Sequence, residues 1–214
     1  MNTQTNTMAQ QAHAQSRNRI RWIAQVGMLS AVATVLMLFE IPLPFAPSFY
    51  QLDFSEVPVL IGSFAIGPMA GAMIELLKVV LHMVLKGSMT GGVGDAANFL
   101  IGCSFCIPAA VLYRKMHTKH GAEIGMAVGT VCMTAIGCVI NAYVLLPLYS
   151  KVLSIPLEAL VEMGTKINSS ITGVGTFVIF AVVPFNLVKG LVVSLVVLLI
   201  YKKISPIFKI SKAK

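Results

Sequence analysis

The run from Ile171 to Tyr201 constrains this chain more than any other stretch. It is apolar or small almost throughout and exceeds the roughly 20 residues a helix needs to cross a bilayer. Yet Pro184, Asn186 and Lys189 lie inside it. A lysine at mid-span costs roughly 2.5–3.5 kcal/mol on insertion scales. Asn186 and Lys189 are three residues apart, so on a helix they share a face. Pro184 loosens the helix just before them. The arrangement makes sense if that face looks into a polar pocket rather than at lipid. The alternative is a Lys189 that snorkels or pairs with a structural carboxylate.

Composition extends this reading to the whole chain. Of 214 residues, 57% are hydrophobic and 11% charged, with a mean hydropathy of +0.84. A soluble domain carries about 25% charged residues. The expectation is an all-α integral membrane protein, multi-pass in the cell membrane. A net charge of +8 could suggest a nucleic-acid partner, but the charges cluster at span ends, as topology signals do. Four cysteines fall inside apolar runs. Cys103 and Cys106 have C-x-x-C spacing without a partner pair or histidine, and they read as small buried residues. Residues 1–19 form a polar tail expected to be disordered and cytoplasmic. Residues 20–203 form the membrane domain, and 204–214 a basic cytoplasmic tail. The run after Arg21 is too long for a signal-peptide core.

The first span, Ile20 to Phe39, carries Ala24, Gly27, Ala31 and Thr34 at spacings of three and four. Such a strip lets another helix approach closely. It serves either to dock a partner subunit or to pack inside this protein. Glu40 to Pro58 follows, a loop with four prolines and with Phe45, Phe49, Tyr50, Leu52 and Phe54. A loop this apolar folds down as a lid or lies in the interface. Val57 to Ile66 is short for a span, Gly67-Pro68 breaks it, and Met69 to Leu85 follows. Glu75 and Lys78 in that run can neutralise each other at i,i+3, or one of them can reach a ligand. Lys86 to Gly94 lacks the G-K-[ST] ending of a phosphate loop and reads as a turn. Asp95 caps a helix to Tyr113. Ala122 to Leu146 is the fifth span, closed by Pro147. Pro156 to Gly164 forms a short interfacial helix before the last span.

Six transmembrane helices put both termini on one side. Of the 16 Lys and Arg, 11 lie in the N-terminal segment, the 114–119 loop and the tail, which share that side. The positive-inside rule then places both termini in the cytoplasm. Asn98, Asn141, Asn186 and Lys189 converge near the opposite, outer end, at the level of the lid. They supply amide donors and acceptors and one cation. No carboxylate, hydroxyl or imidazole sits with them in a catalytic arrangement, so they suit holding a neutral, partly aromatic molecule and no catalytic residue is expected. No G-x-S-x-G, H-E-x-x-H or paired-aspartate motif supports an intramembrane enzyme. A self-sufficient secondary transporter is the other class, usually built from larger repeats.

Several stretches together resemble the substrate-binding membrane subunit of energy-coupling-factor vitamin transporters, nearest to its riboflavin-binding type. They are Leu52-Asp53-Phe54-Ser55-Glu56-Val57-Pro58, Gly67-Pro68-Met69-Ala70-Gly71, Ile74-Glu75-Leu76-Leu77-Lys78, Asp95-Ala96-Ala97-Asn98 and Pro184-Phe185-Asn186-Leu187-Val188-Lys189-Gly190. The resemblance runs from about Arg21 to Lys203. It implies a six-helix fold that takes riboflavin from outside as cargo, with no resident cofactor or metal. It implies a transmembrane coupling subunit and two ATP-binding-cassette ATPases as partners. It favours the docking reading of Ala24, Gly27 and Ala31. It also implies that Asn141, Asn186 and Lys189 hold the flavin ring, with Asn98 a less direct match. An apolar wall from Phe45, Leu52 or Phe54 would suit the ring's dimethylbenzene end. The ligand or Glu75 is expected to satisfy Lys189, because an unpaired ammonium is costly in a low dielectric. A different vitamin of similar polarity is the nearest alternative cargo.

Overall fold

The computed structural model describes residues 2–47, 49–88, 90–152 and 154–210, with side chains described for residues 15–200 and 203 within those bounds. Lys212 and Lys214 of the basic tail lie outside the described residues. Helices α1 (Asn2–Met37), α2 (Glu56–Ala65), α3 (Pro68–Lys86), α4 (Val93–Met116) and α5 (Lys119–Ile140) come first. A π-helical turn, Asn141–Leu145, joins α5 to α6 (Leu146–Val152). After α7 (Leu157–Thr165) and α8 (Val174–Phe177), a second π-helical turn, Val178–Val182, leads into α9 (Val183–Ile210). A two-residue antiparallel ribbon, β1 (Ile41–Pro42) with β2 (Gln51–Leu52), ties the base of the α1–α2 loop.

Five helical stretches are long and apolar enough to cross a membrane: Gln15–Met37, Pro68–Lys86, Val93–Met116, Lys119–Val152 and Val174–Ile200. Helix α2 has 10 residues. At 1.5 Å per residue it spans about 15 Å, half of a hydrocarbon core of about 30 Å. The sequence expectation of six full crossings thus becomes five long stretches and one short apolar helix. Gly67, at φ 135°, turns the chain between α2 and α3. That backbone is open to glycine and costly for other residues.

Two expected boundaries move. Residues 2–19, expected to be disordered, continue α1 as helix. Once a helix is nucleated, extending it through Ala and Gln costs little. Pro147, expected to close the fifth span, lies inside the continuous helical stretch Lys119–Val152. Pro147 follows directly on the π-helical turn, whose extra residue interrupts the regular i→i−4 ladder just where a proline supplies no N–H. Pro184 stands in the same relation to the turn at Val178–Val182.

One face of α1 is buried through Val26, Ser30, Ala33, Thr34 and Met37. Ser30 and Thr34 each return their hydroxyl to the carbonyl four residues back, at 2.8 Å. Helices α4 and α5 approach backbone to backbone. A methyl group on Gly125 would lie 2.6 Å from the Ala109 carbonyl oxygen, and one on Gly129 2.5 Å from that of Phe105. Small residues at such crossings give membrane helices the contact that apolar side chains alone do not. The main core runs between α1, α2, α3, α4, α5 and α9. A second cluster, including Leu146, Leu160, Ile171 and Phe177, caps the end of the bundle that carries α7 and α8.

Candidate ligand-binding site

A cavity of about 630 Å³, counted to its open mouth, lies at that same end. Its walls come from the α1–α2 loop (Phe49, Tyr50, Gln51), α4 (Ala97, Asn98, Ile101), the first π-helical turn (Asn141, Leu145), α6 (Tyr149) and α9 (Phe185, Asn186, Lys189).

The two asparagines deepest in the wall are fixed in the same way. Asn141 donates its amide to the Gly137 carbonyl at 2.7 Å, and Asn186 to the Val182 carbonyl at 2.9 Å. Each amide is thereby oriented by its own helix, beside a π-helical turn of the kind common at functional sites. The two helices meet closely here, since a methyl on Gly137 would come 3.1 Å from Asn186 Nδ2. The hydroxyl of Tyr50 donates to Asn141 Oδ1. Burial, with the neighbouring Tyr149 and Cys138, pushes the Tyr50 hydroxyl above its ordinary pKa, so it stays a donor. The Tyr50 ring packs on Phe49, Phe177 and Phe185 with centroids 4.8, 6.2 and 5.2 Å away.

The cavity floor is ionic. Lys189 Nζ lies 3.2 Å from Asp53 Oδ2 and 3.8 Å from Glu56 Oε1. Glu56 Oε1 is also 3.0 Å from Lys78 Nζ, which in turn is 2.7 Å from Glu75 Oε1. All five side chains are buried. The loop and α2 thus bring two carboxylates to α9, while α3 closes the chain of charges from behind. Asp53 also accepts the Ser55 backbone N–H at 2.8 Å, which fixes the turn into α2. Burial raises the Asp53 carboxyl, but the ammoniums of Lys189 and Lys78 and the Ser55 bonds outweigh it and hold it at about 2.

A profile of the family described as "ECF transporter, substrate-specific component" matches residues 21–201. The chain belongs to the substrate-specific components of ECF transporters. These are multi-pass membrane transport components rather than enzymes, and the five apolar spans agree with that. The chain is 36% identical over 189 residues to "Riboflavin transporter FmnP" of Bacillus subtilis, covering 88% of this chain and 94% of that protein. It is 34% identical over 184 residues to "Riboflavin transporter RibU" of Staphylococcus aureus, covering 86% and 90%. A solved structure described as "Structure and mechanism of the S component of a bacterial ECF transporter" superposes with a TM-score of 0.70 at 32% identity, covering 89% of this chain and 99% of that one.

In this S component, four of the residues singled out in the sequence meet in one cavity: Asn98, Asn141, Asn186 and Lys189. Phe45 and Leu52 are not among its lining residues. Phe45 is exposed and Leu52 buried, while Phe54 packs against the main core. The loop instead presents Phe49, Tyr50 and Gln51. One expectation is corrected: Lys189 is satisfied by Asp53 and Glu56, not by Glu75, because Glu75 is taken up by Lys78 on its own helix face. The hydroxyl of Tyr50 sits among the amides, and a carboxylate stands directly behind the cation. The signal for Asp53 was present, since a carboxylate in so apolar a loop needs a cation to hold it. Ala24, Gly27 and Ala31 are exposed, and nothing lies within 4 Å of a methyl built on Gly27. They do not pack inside this chain.

Proposed function

We propose that this S component captures riboflavin from outside the cell and delivers it inward with a transmembrane coupling subunit and two ABC ATPases. The observation that carries the cargo is the convergence of Asn98, Asn141, Asn186 and Lys189 in one cavity whose remaining walls, Gln51 apart, are aromatic, apolar or small. The pyrimidine edge of a flavin offers two carbonyl acceptors and one N–H donor. Asparagines match a donor–acceptor pair, and Lys189 donates to a carbonyl. Phe49, Tyr50 and Phe185 give the ring its apolar contact. The two riboflavin transporters among the relatives support this choice over another vitamin.

The remaining parts of the reading follow from topology. Taking the short α2 as a crossing gives six, with both termini and the 114–119 loop on the cytoplasmic side and the cavity facing out. Ala24, Gly27 and Ala31, exposed together on α1, form the strip on which the coupling subunit docks. Leucine at both Asn186 and Lys189 should abolish riboflavin binding while the protein still inserts and purifies as a monodisperse species. A purified double variant that still quenches riboflavin fluorescence with wild-type affinity refutes the site.

A further inference from the structure

We propose that Asp53 sets the charge selectivity of the cavity by cancelling Lys189, so that the site accepts an uncharged ligand and disfavours an anionic one. This rests on the flavin reading above and extends it to a residue that does not touch the cargo. Lys189 is the one charged side chain among the described residues lining the cavity. Left alone, a buried ammonium would make this an anion site, since an ionised group taken from water demands a counter-charge. Asp53 is not among the lining residues. It stands behind the amine at 3.2 Å, with Glu56 at 3.8 Å. Its other oxygen is tied to the Ser55 N–H at 2.8 Å, so the carboxylate is fixed by backbone rather than free to swing away.

The second cation of the floor, Lys78, is itself held by Glu56 and Glu75. The cancellation of the Lys189 charge seen from the cavity therefore depends on Asp53 in particular. Glu56 is shared between two lysines, whereas Asp53 makes its ion pair with Lys189. Asp53 is thus a positioning residue that acts through Lys189. Because Asp53 belongs to the α1–α2 loop, it is that loop which supplies the counter-charge to Lys189.

The test compares riboflavin with riboflavin 5′-phosphate, which share the ring and differ in charge. Purified, ligand-free protein in neutral-lipid nanodiscs is titrated with each at pH 7 and low salt. The readout is the ratio of the two affinities. At an effective dielectric of about 20, an uncompensated unit charge some 10 Å from a phosphate favours it by more than about tenfold. Asp53→Asn should therefore move the ratio at least about tenfold toward the phosphate. Lys189→Met, which leaves the carboxylate uncancelled, should move it the opposite way. The double variant should return it near the wild-type ratio. A loss that falls equally on both ligands in Asp53→Asn means a structural role only and overturns the proposal. If Asp53→Asn does not yield folded protein, the Lys189→Met arm decides, and an unchanged ratio there overturns it too. Wild-type protein that binds neither flavin overturns the cargo reading instead.

Discussion

The ammonium of Lys189 and the carboxamide of Asn141 face the same cavity, but different forces hold them. Asn141 is oriented by its own helix, through the Gly137 carbonyl at 2.7 Å, and only then by the loop, through the Tyr50 hydroxyl. Lys189 is held by groups distant in sequence: Asp53 lies 136 residues away. The wall is therefore local and the floor is long-range. A neutral amide satisfied by its own helix can survive movement of the loop. An ion pair across the bundle cannot, since each buried charge left alone costs several kcal/mol. The difference teaches which part of the site one helix builds by itself and which part requires the loop as well.

The floor breaks most severely at Lys78. This side chain is fully buried between Glu56 and Glu75. Replacing it with Met strands Glu75 and leaves Glu56 only the longer contact to Lys189 at 3.8 Å, and breaking a buried pair typically costs about 3–5 kcal/mol. Lys78→Met should lower the thermal midpoint of the detergent-purified protein sharply. Adding Glu56→Gln and Glu75→Leu should recover much of that loss, because removing a whole buried network is often near neutral. A single variant as stable as wild type would show that these charges do not depend on one another.

Acid should separate floor from wall next. The folded Asp53 carboxyl sits at about 2, below an unfolded value of about 3.9. A group depressed on folding contributes stability above its unfolded value and loses it as pH falls through the folded one. The release rate of bound riboflavin should thus stay flat from pH 7 down to about 4 and rise between about 4 and 2. A rise centred near pH 6 would point away from Asp53. The wall, held by uncharged amides, contributes no titration of its own in that window.

The wall responds more gently. Tyr50→Phe removes the hydroxyl that satisfies Asn141 Oδ1 and leaves a buried acceptor bare, at about 1–3 kcal/mol. The ligand-free protein should lose stability by that order. The gain in midpoint on adding riboflavin should grow, because the ligand now supplies the missing donor. An identical ligand-induced shift in variant and wild type would mean that Tyr50 and the ligand do not share Asn141.

These contrasts also explain what could be read from the chain directly. Asn186 and Lys189 were legible because polar groups in an apolar run must face something polar, and their spacing puts them on one face. Asn98 and Asn141 followed from their level in the bundle. The pairing of Glu75 with Lys78 was legible as an i,i+3 contact, but the claim of Glu56 on the same amine was not, since it crosses from α2 to α3. Periodicity carries no information about such long-range pairs. The π-helical turns were hidden for a related reason: the prolines that follow them, Pro147 and Pro184, look like stops until the extra residue in the turn before them is seen. The short length of α2 was visible in the Val57–Ile66 run, although nothing local says whether ten residues complete a crossing.

Within the loop, composition and geometry part company, and the smallest expected effect tests the split. Phe45 and Leu52 looked as suitable for a ring contact as Phe49 and Tyr50, since all four are large and apolar. The β1–β2 ribbon decides among them. It pairs Ile41 with Leu52 and Pro42 with Gln51, so the chain returns with Leu52 turned inward to the protein and Phe49 to Gln51 on the cavity. Phe45, at the far side of the arch, keeps 37% of its surface exposed. Phe45→Ser should therefore change riboflavin affinity by less than about threefold, consistent with the small effect of substitutions at exposed sites. Phe49→Ala, which removes a ring stacked toward Phe177 and Tyr50, should cost more. If the order is reversed, with Phe45 the costlier of the two, the loop reaches further over the bound molecule than its seated form does, and the wall as drawn is incomplete on that side.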